Sequence, residues 1–199
     1  GDEALLAPGP QQLQDLTGVP TLAVLPMWRD HGLPEEDGLY DATPGQAGGA
    51  TRIAVVAYPR ISNLDEFQPL RHLPGVQLHW ARCADEVATL GAQDWLILPG
   101  SKHTSGDLAW LRAQGMDAPI HAHAARGGRV LGVCGGLQML GEALVDPHGV
   151  DGEGPGLGLL PLVTRFEPGK RLCASAVRFG DLQAPWSALT GVQAEGYEI

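Results

Sequence analysis

One segment of the chain combines a strand, a sharp turn and a helix, and residues 129–144 read Arg129-Val130-Leu131-Gly132-Val133-Cys134-Gly135-Gly136-Leu137-Gln138-Met139-Leu140-Gly141-Glu142-Ala143-Leu144. The short apolar run over 129–133 is typical of a strand buried in a parallel sheet. The spacing of the apolar residues over 137–144 predicts a helix. Cys134 lies between them, next to two glycines. This order predicts a nucleophile elbow with a thiol at its tip.

The elbow follows a series of alternating strand and helix patterns. We predict strands over 53–57, 76–80, 95–98 and 129–133, and helices over 63–70, 86–90, 107–112, 119–126 and 137–144. Asn63 and Asp107 are expected near the N-termini of their helices. This alternation favours an α/β fold with a doubly wound, mostly parallel sheet. Short strands over 159–166, 173–179 and 192–199 predict an antiparallel extension.

The first 50 residues have a different pattern. We predict a helix over 10–16 and a strand over 21–25, followed by an acidic stretch over 31–41. Residues 43–49 are Thr43-Pro44-Gly45-Gln46-Ala47-Gly48-Gly49, a composition typical of a linker. We therefore expect a boundary near residue 50, with an appendage over 1–50 and the α/β domain over 51–199.

Composition excludes several classes of function. The net charge is −10, and the 13 basic residues are scattered, which argues against binding of nucleic acid or of an anionic membrane surface. Apolar runs are far shorter than the roughly 20 residues of a membrane helix. The three cysteines are far apart and odd in number, so we expect neither a disulfide nor a metal site, and a cytoplasmic location.

Two predicted strand ends are chemically unusual. The first is the elbow, where a helix N-terminus favours a thiolate at Cys134 and the N–H of Gly135 is placed to stabilise an oxyanion. The second is the loop after residue 98, Pro99-Gly100-Ser101-Lys102-His103-Thr104, whose Gly100 N–H is a candidate for the second donor. The alternative is that Cys134 fills a tight turn and that the loop only caps the next helix.

Cysteine catalysis also requires a base, which is usually a histidine. None of the seven histidines follows a late strand where a catalytic triad would place it. We expect His121 and His123 on the exposed face of a helix, and His148 in a turn. Cys83 and Cys173 lack the elbow context and are expected to be structural, as small buried hydrophobes. The residues alone therefore identify a nucleophile without a convincing base.

Several ordered motifs support a resemblance to a known family. They are Leu98-Pro99-Gly100-Ser101-Lys102, Gly132-Val133-Cys134-Gly135-Gly136-Leu137-Gln138, Asp146-Pro147, Gly156-Leu157-Gly158 and Gly196-Tyr197-Glu198-Ile199. With these motifs the chain resembles the class I, triad-type glutamine amidotransferases, and among them the glutaminase domains of amide ligases in cobalamin biosynthesis. The resemblance covers nearly the whole chain, and residues 1–50 resemble the end of the synthetase domain of such ligases.

The resemblance implies a mechanism and roles for named residues. Cys134 would attack the carboxamide of glutamine, form a γ-glutamyl thioester and release ammonia, with the amides of Gly100 and Gly135 as the oxyanion hole. Ser101 and Gln138 would contact the substrate. The catalytic histidine would directly follow Ile199, so the family pattern implies a fragment with impaired turnover that is truncated at its C-terminus.

The resemblance also implies partners outside the chain. Ammonia would pass to a synthetase domain that uses ATP and Mg²⁺ to amidate adenosylcobyrinic acid a,c-diamide, a corrinoid. The sequence contains no Gly-x-x-x-x-Gly-Lys-Ser/Thr motif, so we expect no cofactor and no metal in residues 1–199 themselves. Two alternatives remain open, namely the glutaminase of another ligase, such as the a,c-diamide synthase or the enzyme that amidates lipid II, and a non-catalytic module with the same fold.

Overall fold

The computed structural model of the chain describes residues 7–24, 51–169 and 172–198. The chain forms two compact units, residues 1–35 and 36–199. The predicted acidic stretch over 31–41, the linker over 43–49 and the boundary near residue 50 lie outside the described residues. None of the described helices combines the length and the apolar character that crossing a membrane requires.

The first unit contains helix α1, Gly9–Thr17. It ends where predicted, because Gly18 adopts a left-handed conformation and donates its N–H to the carbonyl of Gln14. The strand predicted over 21–25 is wrong for residues 21–24, which have no regular secondary structure. Thr21 instead folds back on the helix, and its Oγ1 donates to the carbonyl of Pro10 at 3.1 Å. Leu25 lies outside the described residues.

The second unit is built on a parallel sheet of four strands. These are β1 (Thr51–Val56), β2 (Val76–Ala81), β3 (Trp95–Leu98) and β4 (Arg129–Gly132), in the order β2-β1-β3-β4. Ala54, Val55 and Val56 of β1 are fully buried, as expected for a strand covered on both faces. From β1 the chain connects to β2 on one side, while β3 and β4 lie on the other. The carboxyl ends of β1 and β3 therefore flank the topological switch point, where ligands bind in open α/β sheets.

Helices connect and follow these strands. A 3₁₀ helix (Leu64–Phe67) leads into α2 (Gln68–Arg71), and then come α3 (Ala84–Ala88), α4 (Thr104–Ala113), α5 (Asp117–Ala125) and α6 (Gly135–Leu140). Helix α3 packs against α5, and α4 packs against α6. The alternation of strands and helices confirms the predicted α/β fold with a mostly parallel sheet.

Two smaller sheets follow the elbow. One contains β5 (Ala143–Val145), antiparallel to β6 (Gly154–Pro155) and parallel to β7 (Val163–Arg165). The other is an antiparallel hairpin of β8 (Cys173–Arg178) and β9 (Gln193–Glu198). The antiparallel extension is confirmed, although part of it pairs in parallel.

Several predicted element bounds are wrong. The helix predicted over 137–144 stops at Leu140, because Gly141 is extended and Glu142 donates its N–H to the carbonyl of Leu162 at 2.7 Å. The strand predicted over 159–166 shrinks to β7, because Leu159 and Leu160 both donate to the carbonyl of Leu140. The helix predicted from Asn63 begins as a 3₁₀ turn. Asn63 has a positive φ of 54°, and its side chain makes no cap.

The environments of three side chains also differ from the predictions. His123 is fully buried, not on an exposed face, and its ring lies against Gly128, where a Cβ would overlap it. Cys83 and Cys173 are exposed, not buried. Cys83 precedes α3, and its N–H donates to Oε2 of Glu86 at 3.2 Å. His121 is exposed and His148 lies in a turn, as predicted.

Candidate active site

The turn between β4 and α6 has the backbone of a nucleophile elbow. Cys134 has φ 49° and ψ −112°, a conformation that residues with side chains rarely adopt and that costs about 1–3 kcal/mol. The carbonyl of Leu98 accepts the N–H of Val133 at 2.9 Å, so the elbow is tied to the end of β3. The thiol of Cys134 is exposed at the tip of this turn.

The elbow requires glycines on both sides of the cysteine. A Cβ on Gly132 would lie 2.6 Å from the Cα of Leu137, and one on Gly136 would lie 2.5 Å from the carbonyl carbon of Leu98. Both distances are far below an ordinary carbon contact of about 3.5 Å. Close packing of α6 on β3 and β4 therefore explains the Gly-x-Cys-x-Gly pattern.

The loop after β3 is paired with the loop after β1. Ser62 donates its N–H to the carbonyl of Gly100 at 3.0 Å, and Lys102 donates its N–H to the carbonyl of Arg60 at 2.8 Å. Ile61 and Ser101 thus form an antiparallel bridge. The buried Tyr58 donates its hydroxyl to the carbonyl of Pro99. These bonds hold the loop over 99–102 from one side.

The other side of this loop lies against the elbow. A Cβ on Gly100 would lie 3.9 Å from the Cβ of Cys134, and a Cβ on Gly135 would lie 3.0 Å from the amide nitrogen of Ser101. The structure therefore brings together Cys134, Gly135, Gly100 and Ser101. Among the described residues, no acceptor takes a hydrogen bond from the N–H of Gly100, Ser101 or Gly135. Backbone donors without an acceptor beside a nucleophile are suited to an oxyanion.

The side chains of the two predicted substrate contacts are engaged within the protein. Ser101 donates its hydroxyl to Oδ2 of Asp107 at 2.6 Å and accepts the N–H of His103 at 3.0 Å. Oε1 of Gln138, on α6, accepts the hydroxyl of Thr104 at 3.1 Å. Contact of Ser101 or Gln138 with a substrate stays a prediction.

Two acidic residues for which the sequence predicted no role support the start of the neighbouring helix. Oδ1 and Oδ2 of Asp151 accept the N–H groups of Ser105 and Thr104 at 2.7 and 2.9 Å, at the start of α4. Asp146 in turn accepts four backbone N–H groups, from His148, Val150, Asp151 and Gly152. These hydrogen bonds hold the pKa of Asp146 below its ordinary value. The Asp146-Pro147 turn was predictable, but the bonds from Thr104 and Ser105 to Asp151, which lies 47 and 46 residues away in sequence, were not.

Asp107 is a third acidic residue near the site. The sequence placed it near the N-cap of its helix, but α4 begins at Thr104 and His103 is the capping residue. Asp107 is fully buried. Burial raises the pKa of Asp107, and the hydrogen bonds from Ser101 and from the N–H of Arg60 oppose this rise.

Among residues 51–169 and 172–198, no imidazole forms a hydrogen bond with Sγ of Cys134. Nδ1 of His103 accepts the N–H of Gly106 at 2.9 Å and is occupied in capping α4. Within the described residues, no group of three or more His, Cys, Asp or Glu side chains is arranged to hold a metal ion.

Comparison with known proteins places this geometry in context. Residues 52–199 match a family model described as the CobB/CobQ-like glutamine amidotransferase domain. Among curated proteins, the chain is 64% identical over 200 residues to a cobyric acid synthase of Polaromonas naphthalenivorans and 68% identical over 200 residues to one of Variovorax paradoxus. Each match covers all of this chain and 41% of the relative. The chain thus spans about two fifths of the length of these relatives.

Proposed function

The chain belongs to the CobB/CobQ-like glutamine amidotransferase family, and on this premise we propose that it is the glutaminase part of a cobyric acid synthase. Glutamine would be its substrate and ammonia the product passed on. The observation that carries the proposal is Cys134, exposed at a strained elbow and faced by backbone N–H groups that have no acceptor among the described residues. The names of the relatives support the choice of ligase.

The first half of the proposed reaction forms a thioester. The Sγ of Cys134 attacks the carboxamide carbon of glutamine, a C–S bond forms, and the carbonyl electrons move to oxygen. The N–H of Gly135 and an N–H of the loop over 100–101 stabilise the resulting oxyanion. The C–N bond then breaks, and the nitrogen leaves as ammonia with the proton that the thiol has lost. The family pattern implies that a histidine directly after Ile199 carries this proton.

The second half restores the enzyme. Water attacks the γ-glutamyl thioester, the C–S bond breaks, and glutamate leaves while Cys134 regains its proton. We propose that ammonia reaches a synthetase domain of the same full-length chain, where ATP and Mg²⁺ activate carboxylates of adenosylcobyrinic acid a,c-diamide. A catalytic thiol must stay reduced, which favours a cytoplasmic location.

Labelling the thiol tests the glutaminase proposal. The electrophilic glutamine analogue 6-diazo-5-oxo-norleucine should modify Cys134 in the full-length protein and leave Cys83 and Cys173 unmodified, although all three are exposed. Excess glutamine should protect Cys134. Equal labelling of the three cysteines would contradict the assignment.

Replacing the nucleophile separates catalysis from a purely structural role. Cys134→Ala in the full-length protein should abolish amidation with glutamine, by at least about 10³-fold, while amidation with added ammonia continues. A non-catalytic module predicts that glutamine-dependent amidation survives this substitution. Offering cobyrinic acid and its a,c-diamide separately to the wild type would distinguish a cobyric acid synthase from an a,c-diamide synthase.

A further inference from the structure

The peptide between Gly100 and Ser101 has a fixed orientation. In a planar trans peptide the C=O and the N–H point in opposite directions. The carbonyl of Gly100 points to the loop after β1, because it accepts the N–H of Ser62 at 3.0 Å. The N–H of Ser101 therefore points to the other side, where a Cβ on Gly135 would lie 3.0 Å from the amide nitrogen of Ser101. This N–H faces the elbow and has no acceptor among the described residues.

One buried carboxylate joins the two paired loops. Oδ2 of Asp107 accepts the hydroxyl of Ser101 at 2.6 Å, and Oδ1 accepts the N–H of Arg60 at 3.2 Å. The guanidinium of Arg60 is 3.8 Å from the same Oδ1. Arg60 belongs to the loop after β1 and Ser101 to the loop after β3, so Asp107 fixes both at the bridge that sets the peptide orientation.

The helix that carries Asp107 does not need this carboxylate as a cap. Asp151 accepts the N–H groups of Thr104 and Ser105, and Nδ1 of His103 accepts that of Gly106. The N–H of Asp107 donates to the carbonyl of His103 at 3.0 Å. The donors of the first turn of α4 are thus satisfied by other groups, and the Asp107 carboxylate serves the loops.

From this arrangement we propose that Asp107 is a positioning residue of the oxyanion hole, and that the N–H it positions is that of Ser101. The hydroxyl of Ser101 is the link through which Asp107 acts, so Ser101 contributes a main-chain donor to catalysis and a side-chain anchor to the loop. This inference rests on the proposed glutaminase function, because only a reaction that builds negative charge on an oxygen near Cys134 uses such a donor.

The test compares two substitutions in the full-length protein. Asp107→Asn and Ser101→Ala should each lower kcat for glutamine hydrolysis by about tenfold to a hundredfold, and leave KM for glutamine within about twofold. The range follows from the loss of up to 10²–10³ when an oxyanion donor is removed outright, since here the donor is displaced and not deleted. The double variant should lose little more than either single variant, because both changes break the same link.

A second readout separates positioning from stability. Glutamate γ-semialdehyde forms a tetrahedral adduct with the cysteine, so its affinity should fall with kcat in both variants, while binding of glutamine changes little. Asp94→Asn is the matched control, because Asp94 is also a buried, hydrogen-bonded carboxylate but precedes β3 at the opposite end of the strand. It should lower thermal stability and leave both kcat and the aldehyde affinity unchanged.

The outcomes distinguish this inference from the proposed function. An active wild type whose Asp107→Asn and Ser101→Ala variants keep wild-type kcat and aldehyde affinity would overturn the role of Asp107. Additive losses in the double variant would overturn it as well. A wild type that hydrolyses no glutamine and forms no adduct would instead refute the proposed function. If Asp107→Asn fails to fold, Ser101→Ala, at a partly exposed position, decides the question alone.

Discussion

Replacing Gly136 by alanine should disrupt the elbow without touching the nucleophile. The added methyl group would overlap the carbonyl oxygen of Leu98, and it would lie 2.5 Å from the carbonyl carbon of Leu98 and 2.7 Å from the carbonyl oxygen of Pro99. These are main-chain atoms at the carboxyl end of β3 and cannot rotate away, so α6 must shift by at least about 1 Å to restore an ordinary contact distance of about 3.5 Å.

The size of the effect follows from two opposing contributions. Overpacking of this kind costs about 3 kcal/mol. Alanine in place of glycine stabilises a helix by at most about 1 kcal/mol at Gly136, which is the second residue of α6. We therefore expect Gly136→Ala to lower the free energy of local opening at the elbow by about 2 kcal/mol, which corresponds to about 30-fold faster exchange of the protected amides. A shift of about 1 Å between Cys134 and the loop over 99–102 should also lower kcat by about a hundredfold.

Hydrogen–deuterium exchange of the full-length protein is the assay, read on peptides that cover 129–141. The N–H of Val133, bonded to the carbonyl of Leu98, is the most direct probe. Gly180→Ala is the control, because a Cβ there meets nothing within 4 Å and its φ is not positive. If Gly136→Ala exchanged and turned over glutamine like the control, the packing argument for the elbow glycines would be refuted.

Three further predictions concern the surrounding residues. Asp146 has a pKa below its ordinary value of 3.8, so its carboxylate should stabilise the fold above pH 3.8. This stabilisation should be lost as the pH falls through the lower pKa of the folded state. Melting temperatures measured over a series of pH values should therefore depend less on acid in Asp146→Asn than in the wild type. Burial lowers the pKa of His123, whose ring nitrogens have no hydrogen-bond partner among the described residues. The stability of the fold should therefore decrease as the pH falls below 6.5. His123→Leu should remove this decrease when melting temperatures are measured over the same pH values. Gln138→Ala should raise KM for glutamine more than it lowers kcat in steady-state assays, and the reverse split would contradict a role in substrate binding.

The parallel sheet and the elbow were predictable because their signals are local. A strand such as β3 is a short apolar run that ends at Pro99-Gly100, and its predicted bounds, 95–98, match the structure. The elbow requires a strand, a cysteine between glycines and a helix in direct succession. Such patterns depend only on residues that are neighbours in the sequence, so each segment can be recognised without knowledge of its tertiary contacts.

The polar framework of the site was not predictable, because its partners are distant in sequence. The bond from the N–H of Arg60 to Asp107 joins residues 47 apart, and those from Thr104 and Ser105 to Asp151 join residues 47 and 46 apart. His123 was predicted on an exposed helix face but is buried, for a related reason. A helix with histidines at 121 and 123 gave no sign that Gly128 would leave room for the second ring.

The groups that face the reacting oxygen in the proposed site belong to the main chain, and this affects how its sequence can vary. Every amino acid except proline supplies an N–H, so substitutions at Ser101 or Gly135 cannot delete the donor itself. A saturation mutagenesis screen should therefore show losses at Cys134 and also at residues that never meet glutamine, such as Gly136 and Asp107. For this protein, a map of intolerant positions would outline the packing and the hydrogen bonds that shape the backbone around the catalytic amides.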